Sequence, residues 1–183
     1  PFGAIADEQF KIGWPPEHKI LMSIVGFKEA FENTIIVRLN SDPELDIKVP
    51  TLPGLAVLKL ISWKEKYPER AKDADDLLLI MNEYEHVGNL DRLYKDEADL
   101  LTEEGFDNQI AGIRLLGRDM ATIVDKKIAR EVRSILEYET KDSQKLIIDI
   151  IRERKMFNDK FDTIFHQLEK LKQGFIEVLE RGL

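Results

Sequence analysis

The chain has no cysteine. That removes disulfides, thiolate metal sites and a cysteine nucleophile from the chemistry open to it. Histidine is scarce. His18, His86 and His166 are scattered without metal-ligand spacing, so a histidine-rich metal centre is not expected. No apolar run approaches about 18 residues, the length that a membrane-spanning helix needs, and the sequence shows no signal-peptide pattern. Glycine-rich phosphate loops are missing too, because Gly54, Gly112 and Gly117 stand alone. Ser23, Ser41, Ser62, Ser134 and Ser143 have no His or Asp at motif spacing, which leaves a serine hydrolase unsupported. Basic residues are in deficit, with 27 Lys and Arg against 35 Asp and Glu and a net charge of −8. That balance carries no DNA-binding signature and argues against a sequence-independent nucleic-acid binder, while leaving room for a local basic pocket for a nucleotide.

What is present is the composition of a soluble globular protein. Of 183 residues, 43% are hydrophobic and 34% charged, enough for one or two domains with a sizeable core and well-solvated helices. There is no internal repeat and no low-complexity tract.

The stretch from Thr51 to Tyr84 organises the chain. It reads as two helices joined by a turn at Lys66-Tyr67-Pro68. Thr51 can cap the first helix, and Pro53 fits a first turn, where its missing N–H costs little. Leu52, Leu55, Ala56, Leu60 and Trp63 share one face at spacings of three and four. Lys59 lies in the same stripe, four residues from both Leu55 and Trp63. A lysine there must snorkel or find an anion. The second helix offers Asp73 and Asp76, three apart on one face, with an apolar face of Leu77, Leu78, Ile80 and Met81. An apolar helical hairpin therefore carries Lys59, Arg70, Lys72, Asp73 and Asp76 at one end.

Before this hairpin the chain is β-rich. Phe10 to Trp14 reads as a short strand closed by Pro15-Pro16, and Ile20 to Val25 as another extended run. Gly26 opens a short helix, Phe27 to Asn33, with Phe27, Ala30 and Phe31 expected inward. Ile35 to Leu39 and Leu45 to Val49 form a hairpin around a five-residue loop, Asn40 to Glu44. After it, Gly88 to Glu104 is polar and acidic, with a short helix at Leu90 to Tyr94 and a solvated surface from Asp91 onward. Asp107 caps one long helix from Asn108 to about Tyr138. Its stripe is Ile110, Ile113, Leu116 or Gly117, Met120, Ile123 or Val124, Ile128, Val132 and Ile135. Gly112 and Gly117 inside it each cost about 1 kcal/mol relative to alanine, which points to close packing against another helix or to a ligand. Arg114 and Arg118 share a helix face, suited to a phosphate or to local acids such as Asp119.

Thr140 to Ser143 breaks the pattern, and Leu146, Ile147, Ile148, Ile150 and Ile151 form a dense apolar block. Phe157, Phe161, Ile164, Leu168, Leu171, Phe175 and Val178 then alternate steps of four and three, the spacing of a coiled-coil seam. The seam needs a cover. Bulky phenylalanines and Gly174 favour packing on the body of the chain over a two-stranded homodimer. Among the acidic residues, Asp42, Glu44 and Asp46 read as turn and surface groups.

Three stretches carry a resemblance. L-P-G-L-A-x-L-K-L followed by E-R-x-K-D-x-x-D-L, from Leu52 to Leu77, is similar to the helical region of predicted bacterial nucleotidyltransferases, the superfamily that includes AbiEii-type toxins of toxin–antitoxin systems. Pro1-Phe2-Gly3 resembles the segment after that family's last catalytic strand. Ala111 to Asp119 resembles a glycine-containing helix later in it. The likeness covers roughly Pro1 to Leu136.

The resemblance implies a bacterial, cytoplasmic protein of α+β fold. Residues 1–50 would be the remnant β-rich part of a nucleotidyltransferase-like domain, 51–139 a helical region packed on it, and 140–183 a C-terminal helical extension. It implies magnesium and a nucleoside triphosphate as ligands, and transfer of a nucleotide to RNA, protein or a small molecule. An antitoxin or an RNA acceptor is the implied partner. Lys59 occupies the position of the lysine that reaches the nucleotide phosphates, with Lys72, Asp73 and Asp76 beside it. The family's glycine-serine loop and D-x-D pair, and its third carboxylate before the Pro-Phe-Gly, have no counterpart here. The chain is therefore expected to be a fragment without transfer activity. The alternative is a non-catalytic interaction module working through the C-terminal heptad helix, as a homodimer or with another protein.

Overall fold

The computed structural model describes residues 11–13, 21–155 and 160–181. The fold is α+β, with a mostly helical body and short antiparallel pairs of strands near the N-terminus. Strand β1 (Lys11–Gly13) pairs with β2 (Leu21–Ser23). Pro1-Phe2-Gly3, the Pro15-Pro16 stop and the Phe157 seam position lie outside the described residues.

Helix α1 (Phe27–Glu32) starts after Gly26, which adopts a left-handed φ of 81°. The expected inward set is corrected. Ala30 and Glu29 are buried, whereas Phe31 is 67% exposed and Phe27 is exposed as well. The cause is close approach: the Cβ position of Gly54 lies 3.3 Å from the Ala30 Cα, so the contacting face takes a small residue. The Phe31 ring stays outside, with the Lys48 ammonium 5.8 Å from its centroid.

Strands β3 (Thr34–Ser41) and β4 (Glu44–Pro50) form the main hairpin, with Ile35 opposite Val49 and Val37 opposite Ile47. Its loop is tighter than the sequence suggests: pairing continues to Ser41 and Glu44, leaving Asp42-Pro43 as the turn. Arg38 holds the tip by hydrogen bonding to both Asp46 and Glu44. Ladder bonds and this ion pairing outweigh the weak strand preference of Asn40. A register shift between Arg38 and Asn40 passes over Leu39.

Helices α2 (Leu52–Glu65) and α3 (Ala71–Glu83) form the expected hairpin. The Thr51 hydroxyl accepts from the Gly54 N–H at 3.5 Å, and Pro53 sits in the first turn. α2 is more deeply buried than one stripe requires: Val57 and Ile61 are covered as well as Ala56, Leu60 and Trp63. It packs on α1, α3 and two later helices, so Lys59 and Ser62 are only half-buried and the exposed residues are Lys64 and Glu65 at its C-terminus.

A wide helical turn over Glu85–Asn89, with Gly88 at φ 88°, leads into α4 (Leu90–Tyr94) and α5 (Ala98–Glu103). The single long helix expected after Asp107 is two helices, α6 (Asn108–Ile123) and α7 (Lys126–Glu139). Asp107 caps the first, accepting from the Ile110 N–H at 3.0 Å. Asp125 caps the second, accepting from the Lys127 and Ile128 N–H groups at 2.8 and 2.9 Å. Val124 is extended between them. Apolar spacing alone hid the break, because Val124 and Ile128, four apart, keep the stripe nearly in phase across it.

α8 (Lys145–Glu153) and α9 (Phe161–Arg181) complete the body. α8 packs on α3, burying Leu146, Ile147 and Ile150 while Ile148 faces out. α9 runs along α6, the most extensive helix pairing in the fold. Ile164, Leu168, Leu171 and Phe175 are buried there, and Val178 packs against the same core. The C-terminal seam is thus covered from within the chain. At about 1.5–3 kcal/mol for each large apolar side chain removed from water, this contact is a principal source of stability.

Candidate functional site

The Lys59 cluster forms because α2 and α3 cross at a short turn. Lys59 follows Leu58 and precedes Leu60, on a helix that buries most of its surface. Its ammonium reaches across to α3, 3.0 Å from Asp73 Oδ1 and 2.6 Å from Asp76 Oδ2. Asp73 is itself buried, and its second oxygen accepts from Arg70 Nε at 2.6 Å. Burial opposes the charge on Lys59, but hydrogen bonds to Asp76 and Asp73 outweigh it and hold the ammonium pKa above its usual value. For Asp73, burial pushes upward, yet hydrogen bonds from Arg70 and Lys59 win and hold the carboxyl below the usual range. Arg70 is raised, chiefly by its bond to Asp73.

The side chain of Lys59 is 23% exposed and that of Asp76 30%, so the cluster opens to solvent on one side. Lys72 is exposed and stands four residues before Asp76, on the neighbouring face of α3. Three of the four residues singled out from the sequence, Lys59, Asp73 and Asp76, therefore lie at one place with Arg70, and Lys72 precedes Asp73 on α3.

A lysine ammonium has three donors. Two are used on the aspartates, and the third has no partner among the described residues. The aspartates are different. Both oxygens of Asp73 are committed, one to Lys59 and one to Arg70. Asp76 gives an oxygen to Lys59. This pair does not fit magnesium, which needs oxygens that are not already bound to cations. Among the described residues, no three acidic or histidine side chains gather as a metal-binding group.

Arg114 and Arg118 are not open to a phosphate. Arg114 is bonded to Glu177 at 2.6 Å, Glu104 at 2.8 Å and Glu103 at 2.7 Å. Arg118 is bonded to Glu97 at 2.7 Å, Glu177 at 2.8 Å and Asp99 at 3.2 Å. Lys170 joins through Glu104. The expected partner Asp119 instead accepts from Tyr84 and from Arg92 at 2.8 and 2.9 Å. The acidic stretch from Asp91 is accordingly not just a solvated surface: the Glu104 side chain is 5% exposed, and Leu93, Leu100 and Leu101 are core. No signal in the local sequence reveals these pairings, since their partners lie on α6 and α9.

Asp42, Glu44 and Asp46 are exposed on the β3–β4 hairpin as expected, two of them tied to Arg38. Among the described residues, no helix is long and apolar enough to cross a membrane. Comparison with protein-family models, with curated proteins and with solved structures returns no match.

Proposed function

We propose that the chain is nucleotidyltransferase-like and that its nucleotide-facing element is the Lys59 cluster. The observation that carries this reading is the posture of Lys59. It is a charged amine on a nearly buried helix, fixed by two carboxylates, partly exposed, and with one donor unpaired among the described residues. A pre-positioned ammonium of this kind suits the oxygens of a triphosphate, because little side-chain freedom remains to be lost on binding. Asp73 and Asp76 keep it protonated and aimed. Arg70 and Lys72 add positive charge at the rim, so three cations stand against two aspartates. The resemblance from Leu52 to Leu77 supports the same assignment.

In this reading the ligand is a nucleoside triphosphate, and magnesium is the metal expected with it. Asp73 and Asp76 do not fit that metal, since Lys59 and Arg70 engage their oxygens. The acceptor is an RNA, a protein or a small molecule, and an antitoxin is the regulatory partner, in the cytoplasm of a bacterium. The experiment is a titration of the isotopically labelled chain with ATP and GTP, followed by NMR. Shifts confined to amides and side chains around Lys59, Arg70 and Lys72 are expected. Shifts elsewhere, or none, would count against the reading.

A second reading, a non-catalytic interaction module, is favoured by a different observation. Ile35, Leu45 and Ile47 are exposed on one face of the β3–β4 hairpin, an apolar surface of the kind that marks contacts between proteins. The C-terminal helix is a weaker candidate for that role, because its seam lies on α6. A homodimer through this face would be broken by Ile35→Lys with Ile47→Lys, read by light scattering.

A further inference from the structure

At the end of the molecule formed by the C-termini of α2 and α7 and the start of α8, two tyrosines are partly open to solvent: Tyr67 is 40% exposed and Tyr138 43%. A lysine lies over each ring. The Lys64 ammonium is 4.6 Å from the Tyr138 centroid, and that of Lys145 is 5.0 Å from the Tyr67 centroid. Trp63 ties the two pairs together. It is adjacent to Lys64, supports the edge of Tyr67 at 5.7 Å, and donates to Asp149 of α8. Lys66 and Lys141, both exposed, flank the tyrosines in sequence. Two nearby acids are engaged elsewhere: Glu137 binds Arg133 at 2.9 Å, and Glu139 accepts from the Leu146 N–H at 3.0 Å. Glu65, Glu69 and Asp142 are further carboxylates of these segments, and Asp149 also accepts from Arg152.

From the two ammonium-on-tyrosine pairs beside Lys66 and Lys141, we infer that this end of the bundle is a docking surface for single-stranded nucleic acid. The chemistry follows from the pairing. A base can take the place of the ammonium on each ring, since every base has a π-face and stacking on an aromatic side chain is tolerant of sequence. The displaced ammonium then meets the adjacent phosphate, where its charge is worth more than on a ring. An acidic peptide would use the lysines and leave the exposed rings without a role. The chain's net charge of −8 confines such binding to this local patch and makes it strongly salt-dependent. The surface does not depend on the Lys59 cluster, and neither assignment falls with the other.

The test is fluorescence anisotropy with a labelled oligouridylate of about a dozen nucleotides, repeated over a range of salt. The wild-type chain should bind, with affinity falling steeply as salt rises. Lys64→Ala with Lys145→Ala should flatten the log–log salt slope by about 1.4, the share of two phosphate contacts on a single strand. Tyr67→Ala with Tyr138→Ala should weaken binding about tenfold or more, while Tyr67→Phe with Tyr138→Phe, which keeps both rings and the fold, should bind like wild type. Photocrosslinking of bromouridine-substituted oligonucleotide to the wild-type chain should map to Tyr67 or Tyr138. No binding at low salt, an alanine pair that folds and binds like wild type, or crosslinks confined to other surfaces would overturn the inference. So would polyglutamate of equal length competing as well as the oligonucleotide.

Discussion

Gly117 of α6 and Gly174 of α9 meet backbone to backbone. A Cβ on Gly117 would fall on the Leu171 carbonyl oxygen, and one on Gly174 would fall on that of Arg114. Alanine at either position gains about 1 kcal/mol of helix propensity. It also forces apart two backbones that cannot yield as side-chain ends do, an overpacking that typically costs about 1–3 kcal/mol and occasionally more. The clash should prevail. Gly117→Ala and Gly174→Ala are each expected to destabilise the chain in urea unfolding by about 2 kcal/mol; a neutral or stabilising result at both would refute the close contact.

The same contact predicts the fate of a truncation. Removing residues 157–183 uncovers the α6 face on which Ile164, Leu168, Leu171 and Phe175 lie. The shortened chain should aggregate. If it stays folded and soluble and merely passes from dimer to monomer by light scattering, α9 is an oligomerisation arm and its internal packing is wrong.

Glu177 fastens that contact by bonding to both Arg114 and Arg118. Glu177→Ala leaves two buried guanidiniums with fewer partners and should cost about 3 kcal/mol. Burial pushes the Glu177 carboxyl up, but the two arginines outweigh it and hold its pKa below the usual range. Glu104, Asp99 and Asp73 are lowered by their own basic partners. For groups of this sign, stability is present above the unfolded pKa, about 4, and is lost as pH falls through the lowered folded values. Melting temperature should therefore drop steeply below about pH 4, and in Glu177→Ala the drop should be shallower. Equal slopes would show that this network does not govern acid unfolding.

Glu85 has the opposite sign. Burial raises its pKa, with Asp107 and Glu83 adding to the rise and His86 opposing it. Its Oε2 has no hydrogen-bond partner among the described residues. A raised folded pKa gives stability below the unfolded value that disappears as pH rises through the folded one. Glu85→Gln should thus gain stability relative to wild type as pH climbs from about 4 to 7. A constant difference across that range would contradict the assignment.

Transfer activity is not expected from the chain alone. Incubated with magnesium, each labelled nucleoside triphosphate and total RNA, it should incorporate no label above a control without protein. Incorporation would mean that a metal site exists among residues read here as structural.

Local rules were enough for much of this fold. Thr51, Pro53 and Asp107 mark helix starts by chemistry that acts within three residues, and the seam from Phe161 onward shows in spacing alone. The failures are non-local. Asp125 carries a capping signal, but the apolar stripe runs through it in phase. Phe27 and Phe31 face out because Ala30 is the residue small enough to meet Gly54. The ion pairs of Arg114 and Arg118 join residues from 10 to 63 positions apart, which periodicity does not register. At the candidate site the sequence did better. Lys59 is conspicuous because a charge interrupts an apolar stripe, and the i,i+3 spacing of Asp73 and Asp76 supplied its partners.

On the proposed reading, Lys59 gives a triphosphate its remaining donor while still pairing with Asp73 and Asp76. The most direct measurement is calorimetric titration of ATP and GTP into the wild-type chain and into Lys59→Ala, with urea unfolding of both. Measurable binding by wild type is expected, with loss of that binding in Lys59→Ala and a stability loss within about 2 kcal/mol, the scale of a charge-assisted contact. Unchanged nucleotide affinity together with a large stability loss would contradict it, and would leave Lys59, Asp73 and Asp76 as a clasp between α2 and α3.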